Sequence, residues 1–334
     1  IFFCHISVYY IYIVNMKSYL EFEHDVKVLE EELEKLKDPF TDEGLSEVEI
    51  NKITQLQRDI DNKLKATYAN LDAWQITQVA RFAERPKSKF IIDSLFSNFI
   101  NLSGDRRLGE DKALISGFAE LEGRSVLVLG QEKGDDLESR VERNFGMLKS
   151  SGYKTAVRLM LLADKFNIPC VNLIDTPGAS ATVQSENSGI HEAIASSINC
   201  QMNLKVPVIS VILSEGGSGG AVALASANKV LMLENAVYGV ISPESASTIL
   251  YGDPSKSLET AKAMKLTANE LLEVGVIDEI IPEKIPAHRD KEQFLLSIKE
   301  ALIRNLDEFE KYTREEIFEQ RKKRFLDIGK QKTF

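Results

Sequence analysis

The sequence predicts an α/β domain with a mostly parallel sheet, preceded by a helical region and followed by a charged helical tail. From about residue 113, short β-rich runs alternate with longer helical runs. The β-rich runs are rich in apolar residues and lie at 125–130, 170–175, 206–213, 229–234 and 236–241. Strands that are buried on both faces and joined by helices of ten or more residues are typical of layered, mostly parallel sheets.

The amino-terminal region is predicted to be helical and to carry no chemistry. Its apolar residues recur at spacings of three and four, in two runs separated by Asp38 and Pro39. The runs are Val26, Leu29, Leu33 and Leu36, then Ile53, Leu56, Ile60 and Leu64. Residues 1–15 are apolar, but they are shorter than the roughly 20 residues that span a bilayer and lack a basic start. We expect Met16 to be the natural start and 1–15 to be upstream sequence.

The composition excludes several classes of function. The chain has 334 residues, of which 43% are hydrophobic and 28% charged, as in ordinary globular proteins. Its net charge of −10 creates no overall field that would attract nucleic acid or anionic lipid. Cys4, Cys170 and Cys200 are widely separated and form no CxxC pair, so neither a disulfide framework nor a zinc site is expected. A reducing, cytoplasm-like compartment is therefore expected.

The first candidate motif is LIDTPGAS (173–180), which directly follows a predicted buried strand. Its DxxG pattern is similar to that of nucleoside-triphosphate switches. A triphosphatase would also need a GxxxxGK[ST] phosphate loop, and the chain contains none. A tight turn that ends the strand is the alternative interpretation.

The second motif is SEGGSGGAVALASA (214–227), where four glycines open a helix of small residues directly after a predicted strand. Exposed N–H groups at a helix N-terminus suit an anion or a developing oxyanion. Tight packing between helix and sheet is a second interpretation, and a dinucleotide loop with Glu234 on the ribose is a third. The third is disfavoured because GxGxxG from Gly217 would require glycine at Val222.

Other polar residues give weaker signals. His191 and His288 have no nucleophile in a GxSxG elbow, so a hydrolytic triad has little support and both are predicted to be structural or surface residues.

Eight segments, in order and spacing, resemble one family, the alpha subunit of the carboxyltransferase component of bacterial and plastid acetyl-CoA carboxylase. They are LDAWQITQVAR (71–81) with Arg85 and Pro86, SGDRRLGEDKALISG (103–117), GQEKG (130–134), RNFGM (143–147), GYKTAVRLM (152–160), IDTPGA (174–179), EGGSGGA (215–221) and VISPESASTIL (240–250). In addition, LLEVGVIDEIIPE (271–283) is similar to the closing element of crotonase-type domains, with a helix leading through Gly275 to a strand that contains Asp278. The resemblance covers residues 16–334.

The resemblance implies a crotonase-like spiral of ββα units that carries half of an active site. The beta subunit would supply the other half in an alpha2beta2 heterotetramer, and zinc would lie only on that beta subunit. The implied reaction transfers the carboxyl group of carboxybiotin, presented by the biotin carboxyl carrier protein, to acetyl-CoA and gives malonyl-CoA for fatty-acid synthesis. Biotin carboxylase is a further implied partner. Neither a covalently bound cofactor, nor a metal, nor a membrane or nucleic-acid partner is expected for this chain.

The implied mechanism explains why the sequence shows no acid–base pair. The biotin ureido anion itself would remove the methyl proton, so the protein has to stabilise negative oxygens with preorganised N–H groups. The resemblance assigns this oxyanion hole to the backbone of Gly219, Gly220 and Ala221. It lines the biotin site with Gly216, Gly217, Pro177, Gly178, Ala179, Ser242, Pro243 and Glu244.

The expected domain organisation is an upstream segment at 1–15, a helical region at 16–95, a carboxyltransferase domain at 96–310 and a helical tail at 311–334. Residues 180–187 depart from the family pattern, which leaves open a scaffold subunit that keeps only the beta-binding surface. A stand-alone crotonase-type acyl-CoA enzyme is a further alternative, although no acid–base carboxylate is evident. The bacterial cytoplasm is the expected location, with the plastid stroma as the alternative.

Overall fold

The computed structural model describes residues 18–37 and 47–330. The expected upstream segment and the predicted break at Asp38 and Pro39 lie outside the described residues. The helices are α1 (His24–Leu36), α2 (Glu47–Tyr68), α3 (Ala73–Ala80), α4 (Ser88–Leu95), α5 (Leu137–Glu142), α6 (Ser150–Phe166), α7 (Val183–Asn187), α8 (Ile190–Asn203), α9 (Ser218–Ala225), α10 (Pro243–Tyr251), α11 (Ser257–Met264), α12 (Ala268–Glu273), α13 (Lys291–Phe309) and α14 (Arg314–Asp327). The strands are β1 (Ser97–Asn101), β2 (Leu114–Leu121), β3 (Arg124–Gln131), β4 (Cys170–Thr176), β5 (Val208–Gly217), β6 (Lys229–Leu233), β7 (Val237–Gly239) and β8 (Glu279–Ile281).

The chain divides into two compact units, Ile1–Leu64 and Lys65–Phe334. In the first unit, α1 and the part of α2 before residue 65 are joined by two ion pairs. Lys52 lies 2.9 Å from Glu32, and Lys63 lies 2.6 Å from Asp25. The order of these pairs along the chain shows that the two helices run antiparallel. The helical prediction for this region is confirmed, whereas the predicted domain boundaries stay predictions.

The second unit is built on one eight-stranded mixed sheet. Its order is β1-β2-β3-β4-β5-β6-β8, and β7 pairs with the far end of β5. The pairs from β3 onward are parallel, whereas β1, β2 and β3 form an antiparallel meander. The prediction of a mostly parallel α/β sheet is confirmed, and all five predicted β-rich runs contain a strand.

The parallel strands form the core because they are apolar on both faces. All seven residues of β4 are buried, as are the first seven of β5. Burial of such strands contributes roughly 25 cal/mol for each Å² of apolar surface removed from water. At the carboxyl ends of β4 and β5 the pairing register shifts between Ile174 and Thr176, and β5 carries the extra residues before pairing resumes at Thr176 and Gly216. Irregularities of this kind change the direction of side chains near a site.

The C-terminal residues form two helices, α13 and α14, rather than one continuous charged helix. Thr313 caps the second helix, with Glu316 completing a reciprocal capping box. Arg321 of α14 is fully buried and donates hydrogen bonds to the carbonyls of Leu204 and Val206 at 2.6 and 2.7 Å. The helical prediction for this tail is confirmed, and one buried guanidinium anchors it to the loop before β5. Within 18–37 and 47–330, no helix is long and apolar enough to cross a membrane.

Candidate active site

The sharp turn between β5 and α9 is the centre of the candidate site. The strand ends at Gly217 and the helix begins at Ser218, whose φ of 53° is left-handed. A non-glycine residue in this conformation is strained, and such strain is concentrated at functional sites. No side chain caps the helix at Gly217. The N–H groups of the first turn have no intrahelical partners and carry the positive end of the helix dipole, so they can face an anionic oxygen.

The glycines of this turn differ in what surrounds them. A Cβ on Gly217 would lie 2.0 Å from the Pro177 carbonyl oxygen, and one on Gly220 would lie 2.5 Å from the carbonyl carbon of Gly178. These two positions are therefore glycine because backbone packs directly on backbone. A Cβ on Gly219 would meet only Ile194 side-chain carbons, at 3.7 Å. The packing interpretation of the motif thus holds for Gly217 and Gly220, while Gly219 remains open to a ligand.

A cavity of about 570 Å³ opens at the start of α9. This volume lies within the range of small-molecule sites. Its lining is mostly apolar and consists of Ser218, Gly219, Val222, Tyr238, Gly239, Val240, Met264, Lys265, Leu271 and Val276. Burial raises the pKa of the Tyr238 phenol to about 12, so this ring stays protonated at neutral pH. The cavity therefore offers an open, mostly apolar space beside the uncapped helix terminus.

The two other predicted segments, 177–179 and 242–244, come together near the end of β5. Pro177, Gly216, Gly217, Ser242 and Pro243 line one small cavity of about 50 Å³. Ser242 caps α10 by accepting a hydrogen bond from the Ser245 N–H at 3.2 Å. The structure therefore brings together Pro177 and Ser242, which are far apart in the chain.

The remaining predicted residues lie beside this junction, the place where the ends of 177–179, 215–217 and 242–243 meet. Glu244 is held there by Arg81. Gly178 hydrogen-bonds the Thr176 hydroxyl through both its N–H and its carbonyl. Ala179 is partly buried against the core, and Ala221 is fully buried in α9. Their assignment as site residues stays a prediction.

The segment that departs from the expected pattern, 180–187, forms the short helix α7. Thr182 caps this helix by accepting a hydrogen bond from the Ser185 N–H at 3.2 Å. The Ser185 hydroxyl in turn donates to the buried Ser180 hydroxyl at 2.7 Å. Hydroxyl groups of Thr182, Ser185 and Ser180 thus hold this segment in place.

A buried ion network, which the sequence analysis did not find, lies under the junction. Lys133 Nζ is 2.7 Å from both Asp175 Oδ1 and Glu215 Oε2. Arg81 Nε is 2.6 Å from Glu215 Oε1, and Arg81 Nη1 donates to Glu244 Oε1. Burial opposes the charged forms, but the opposite charges outweigh it, so the pKa of Lys133 is raised and that of Glu215 is lowered. Lys133 and Glu215 are therefore both charged at neutral pH.

One sequence signal could have located part of this network. Lys133, Asp175 and Glu215 all lie at the carboxyl ends of neighbouring strands, which meet at one edge of a sheet. Arg81, which directly follows α3, gives no comparable signal. Among the described residues, no group of three or more His, Cys, Asp or Glu side chains could hold a metal ion.

Solved structures show the same fold. The transcarboxylase 12S hexamer with methylmalonyl-coenzyme A aligns with a TM-score of 0.52 and 21% identity, over 67% of this chain and 44% of that chain. A Pseudomonas malonate decarboxylase heterotetramer in complex with coenzyme A aligns with a TM-score of 0.52 and 17% identity, over 64% of this chain and 86% of that chain. These likenesses place the chain in the class of crotonase-like α/β proteins, as the resemblance predicted.

Sequence relatives narrow the class to one family. The chain belongs to the acetyl co-enzyme A carboxylase carboxyltransferase-like family, which it matches over residues 19–329. It is 58% identical over 320 residues to the acetyl-coenzyme A carboxylase carboxyl transferase subunit alpha of Pelagibacter ubique, covering 96% of this chain and 87% of that protein. The protein of the same name from Zymomonas mobilis is 45% identical over 94% of this chain and 100% of its own length. The predicted family is confirmed.

Proposed function

We propose that this chain is the alpha half of an acetyl-CoA carboxylase carboxyltransferase, which moves a carboxyl group from carboxybiotin to acetyl-CoA and gives malonyl-CoA. The observation that carries the proposal is the uncapped start of α9 beside an apolar cavity, in a chain of this family. The relatives at 58% and 45% identity support it by their names. The region 96–310 is the proposed carboxyltransferase domain.

The chemistry requires stabilisation of negative oxygen more than an acid–base side chain. Carboxybiotin supplies the carboxyl group, and its ureido nitrogen accepts the proton from the acetyl methyl group. In the proposed site, the N–H groups of Gly219 and Gly220 donate to the oxygen on which negative charge develops, and Ala221 closes the first turn of α9 behind them. A single donor of this kind typically contributes about 10²–10³ in rate. The lining beside this turn is mostly apolar, and burial of that lining by the substrates and the beta subunit would strengthen these hydrogen bonds.

The open side of Gly219 fits the approach of a planar ligand, because no backbone occupies the space that a Cβ would fill. The 177–179 turn forms the adjoining wall, and Ser242, Pro243 and Glu244 form the end of the site. Gly216 and Gly217 shape the strand between them. Pro177, Gly216, Gly217, Ser242 and Pro243 line one small cavity, and this supports their assignment to one site.

The proposed partners follow from the reaction. A beta subunit completes the site in an alpha2beta2 heterotetramer and carries the zinc. The biotin carboxyl carrier protein presents carboxybiotin, which biotin carboxylase regenerates. The reaction and the bacterial relatives favour the bacterial cytoplasm as its location, with the plastid stroma as the alternative.

The proposal is tested through the reverse half-reaction, malonyl-CoA-dependent carboxylation of biocytin. The full chain is assayed alone and then after mixing with the beta subunit of the same organism, with release of acetyl-CoA as the readout. The expected result is turnover in the mixture only. A stable alpha–beta complex without turnover would contradict the proposal and favour a scaffold, and turnover by the chain alone would favour a stand-alone enzyme.

A further inference from the structure

We propose that Lys133 and Arg81 are positioning residues for carboxyl transfer, and that they hold the three segments of the site in register. The inference rests on the proposed function, since it assigns a role in that same site. Neither residue touches the reacting atoms in this account. Each acts through carboxylates that lie within the segments 175–179, 215–221 and 242–245, namely those of Asp175, Glu215 and Glu244.

Lys133 joins the first two segments. It follows β3, and its ammonium group lies 2.7 Å from a carboxylate at the end of β4 and 2.7 Å from one at the end of β5. The same Asp175 oxygen accepts a hydrogen bond from the Glu215 backbone N–H at 3.3 Å. The lysine side chain is only 11% exposed, so water cannot replace it easily. One buried cation thus connects both strand ends where their pairing register is interrupted.

Arg81 extends the connection to the third segment. Its Nε and Nη1 atoms donate to different carboxylates, those of Glu215 and Glu244. Glu244 is the second residue of α10, next to the residues that line the small cavity. A guanidinium can make two such hydrogen bonds in a fixed geometry, which a single ammonium nitrogen cannot reproduce.

The ion network controls the geometry of the oxyanion hole because each of two carboxylates lies only two residues before a backbone that packs on the other segment. Glu215 precedes Gly217 by two residues, and Asp175 precedes Pro177 by two. Gly217 and Pro177 are in direct backbone contact. Any displacement of the ion pairs is therefore transmitted to the strand–turn–helix junction that holds the N–H groups. A misplacement of about 1 Å in a preorganised site can cost on the order of 10²-fold in rate.

Removing the lysine charge would leave two carboxylates facing each other. Both oxygens lie within 2.7 Å of one nitrogen, so they are at most twice that distance apart. Like charges this close in a buried site repel strongly. Neutralising Asp175 as well should relieve that repulsion, and an asparagine at this position can still accept the hydrogen bond from the Glu215 N–H.

The test uses Lys133→Met, the double variant Lys133→Met/Asp175→Asn and the matched control Lys229→Met. Lys229 pairs with Glu308 at 3.2 Å on the opposite ends of the strands, away from the junction. Each full chain is assembled with the beta subunit and assayed for biocytin carboxylation, and kcat is normalised to assembled, folded complex. We expect Lys133→Met to lower kcat about 10²-fold with the KM for malonyl-CoA within about threefold. The double variant should recover at least about tenfold, and the control should stay near wild type.

Two outcomes would overturn the inference. One is a Lys133→Met complex whose kcat stays within about threefold of wild type. The other is a double variant that regains thermal stability without regaining kcat, since that marks a purely structural ion pair.

Amide hydrogen exchange tests the positioning role without depending on the proposed catalytic function. In the full chain alone, Lys133→Met should accelerate amide exchange at 176–179 and 215–221, and Asp175→Asn should reverse the change. Inactivity of the wild-type complex would contradict the proposed function while leaving this readout intact. Unchanged exchange at both segments would contradict the positioning role by itself.

Discussion

The neighbouring glycines at the start of α9 differ in the reason why each position is a glycine. Gly217 and Gly220 are required because the backbone of 177–179 occupies the space of their side chains. Gly219 has room for a methyl group and lines the large cavity. The motif alone left oxyanion binding and tight packing as alternatives, and the structure assigns packing to two glycines while one faces the cavity.

This difference predicts opposite effects of two matched substitutions. Gly220→Ala should lower the free energy of unfolding by about 1–3 kcal/mol, because its Cβ overlaps the Gly178 backbone. Gly219→Ala should be neutral or stabilising by up to about 1 kcal/mol, because alanine favours the helix and fits beside Ile194. Urea unfolding of both variants measures this. Equal destabilisation by the two would contradict the packing described.

His288 predicts a pH dependence of stability. Both of its ring nitrogens are buried without a hydrogen-bond partner among the described residues, and the ring packs on Phe82 with centroids 4.5 Å apart. Burial, aided by Arg289, Arg85 and Lys291, lowers its pKa from 6.5 to about 3. Between these values the unfolded chain binds a proton that the folded chain does not. The free energy of unfolding should therefore fall as pH drops below 6.5, by up to about 1.4 kcal/mol per unit.

The His288→Phe variant isolates this contribution. Its unfolding free energy should fall less than that of the wild type between pH 7.5 and pH 5, as measured by urea unfolding. His191→Phe, at an exposed position of α8, is the control and should follow the wild type. Identical pH dependence of the wild type and His288→Phe would show that the ring is not desolvated as described.

At the residue scale, the sequence predicted the glycine motifs but not the ion network. Motifs are local in the chain and can be read from a few letters. Lys133, Asp175, Glu215 and Arg81 meet only because β3, β4, β5 and the end of α3 converge. The spacing between them carries no periodic signal, so their contacts follow from the topology of the sheet.

At the scale of elements, the apolar runs predicted the strands β3 to β7, but neither β1 nor β2 was among them. β4 and β5 are recognisable because nearly every residue in them is apolar or small. β1 was not predicted, since SNFIN is short, largely polar and mostly exposed at the sheet edge. The predicted strand around Asp278 begins one residue later, and Asp278 instead accepts a hydrogen bond from the Val230 N–H at 2.7 Å.

A second buried ion pair ties the segment after α3 to the end of β5 and to the loop after β8. Arg85 donates to both oxygens of Glu283 at 2.8 Å and also to the Leu213 carbonyl. Glu283→Gln should lower the free energy of unfolding by about 3–5 kcal/mol, because it leaves a buried guanidinium without its counterion. Differential scanning calorimetry should show a fall in Tm on the order of 10 °C.

The control for this prediction is Glu315→Gln, which breaks a surface pair with Lys205. Exposed pairs contribute at most about 1 kcal/mol, so its Tm should stay within a few degrees of wild type. Equal effects of the two substitutions would mean that burial does not govern the strength of the Arg85 pair.

At the scale of the whole molecule, the second unit combines a rigid sheet with a site at its carboxyl edge. The fully buried strands β4 and β5 fix the positions of 177–179 and 215–221, while Met264 of α11 and Leu271 of α12 line the cavity on its outer side. The α/β class followed from the sequence because apolar runs and their spacing determine layers. The shape of the site did not, because it depends on register shifts and on backbone contacts between distant segments.

The central claim is that backbone N–H groups at the start of α9 carry the transfer reaction. Its most direct test replaces the Gly219 amide by an ester, which removes an N–H of the uncapped first turn beside the cavity, and compares it with the same replacement at Ala225 later in the helix. In complex with the beta subunit, biocytin carboxylation should fall about 10²–10³-fold for the Gly219 ester. The Ala225 ester should lower stability without a comparable loss of kcat. Equal rates for both esters and the wild-type complex would contradict the account.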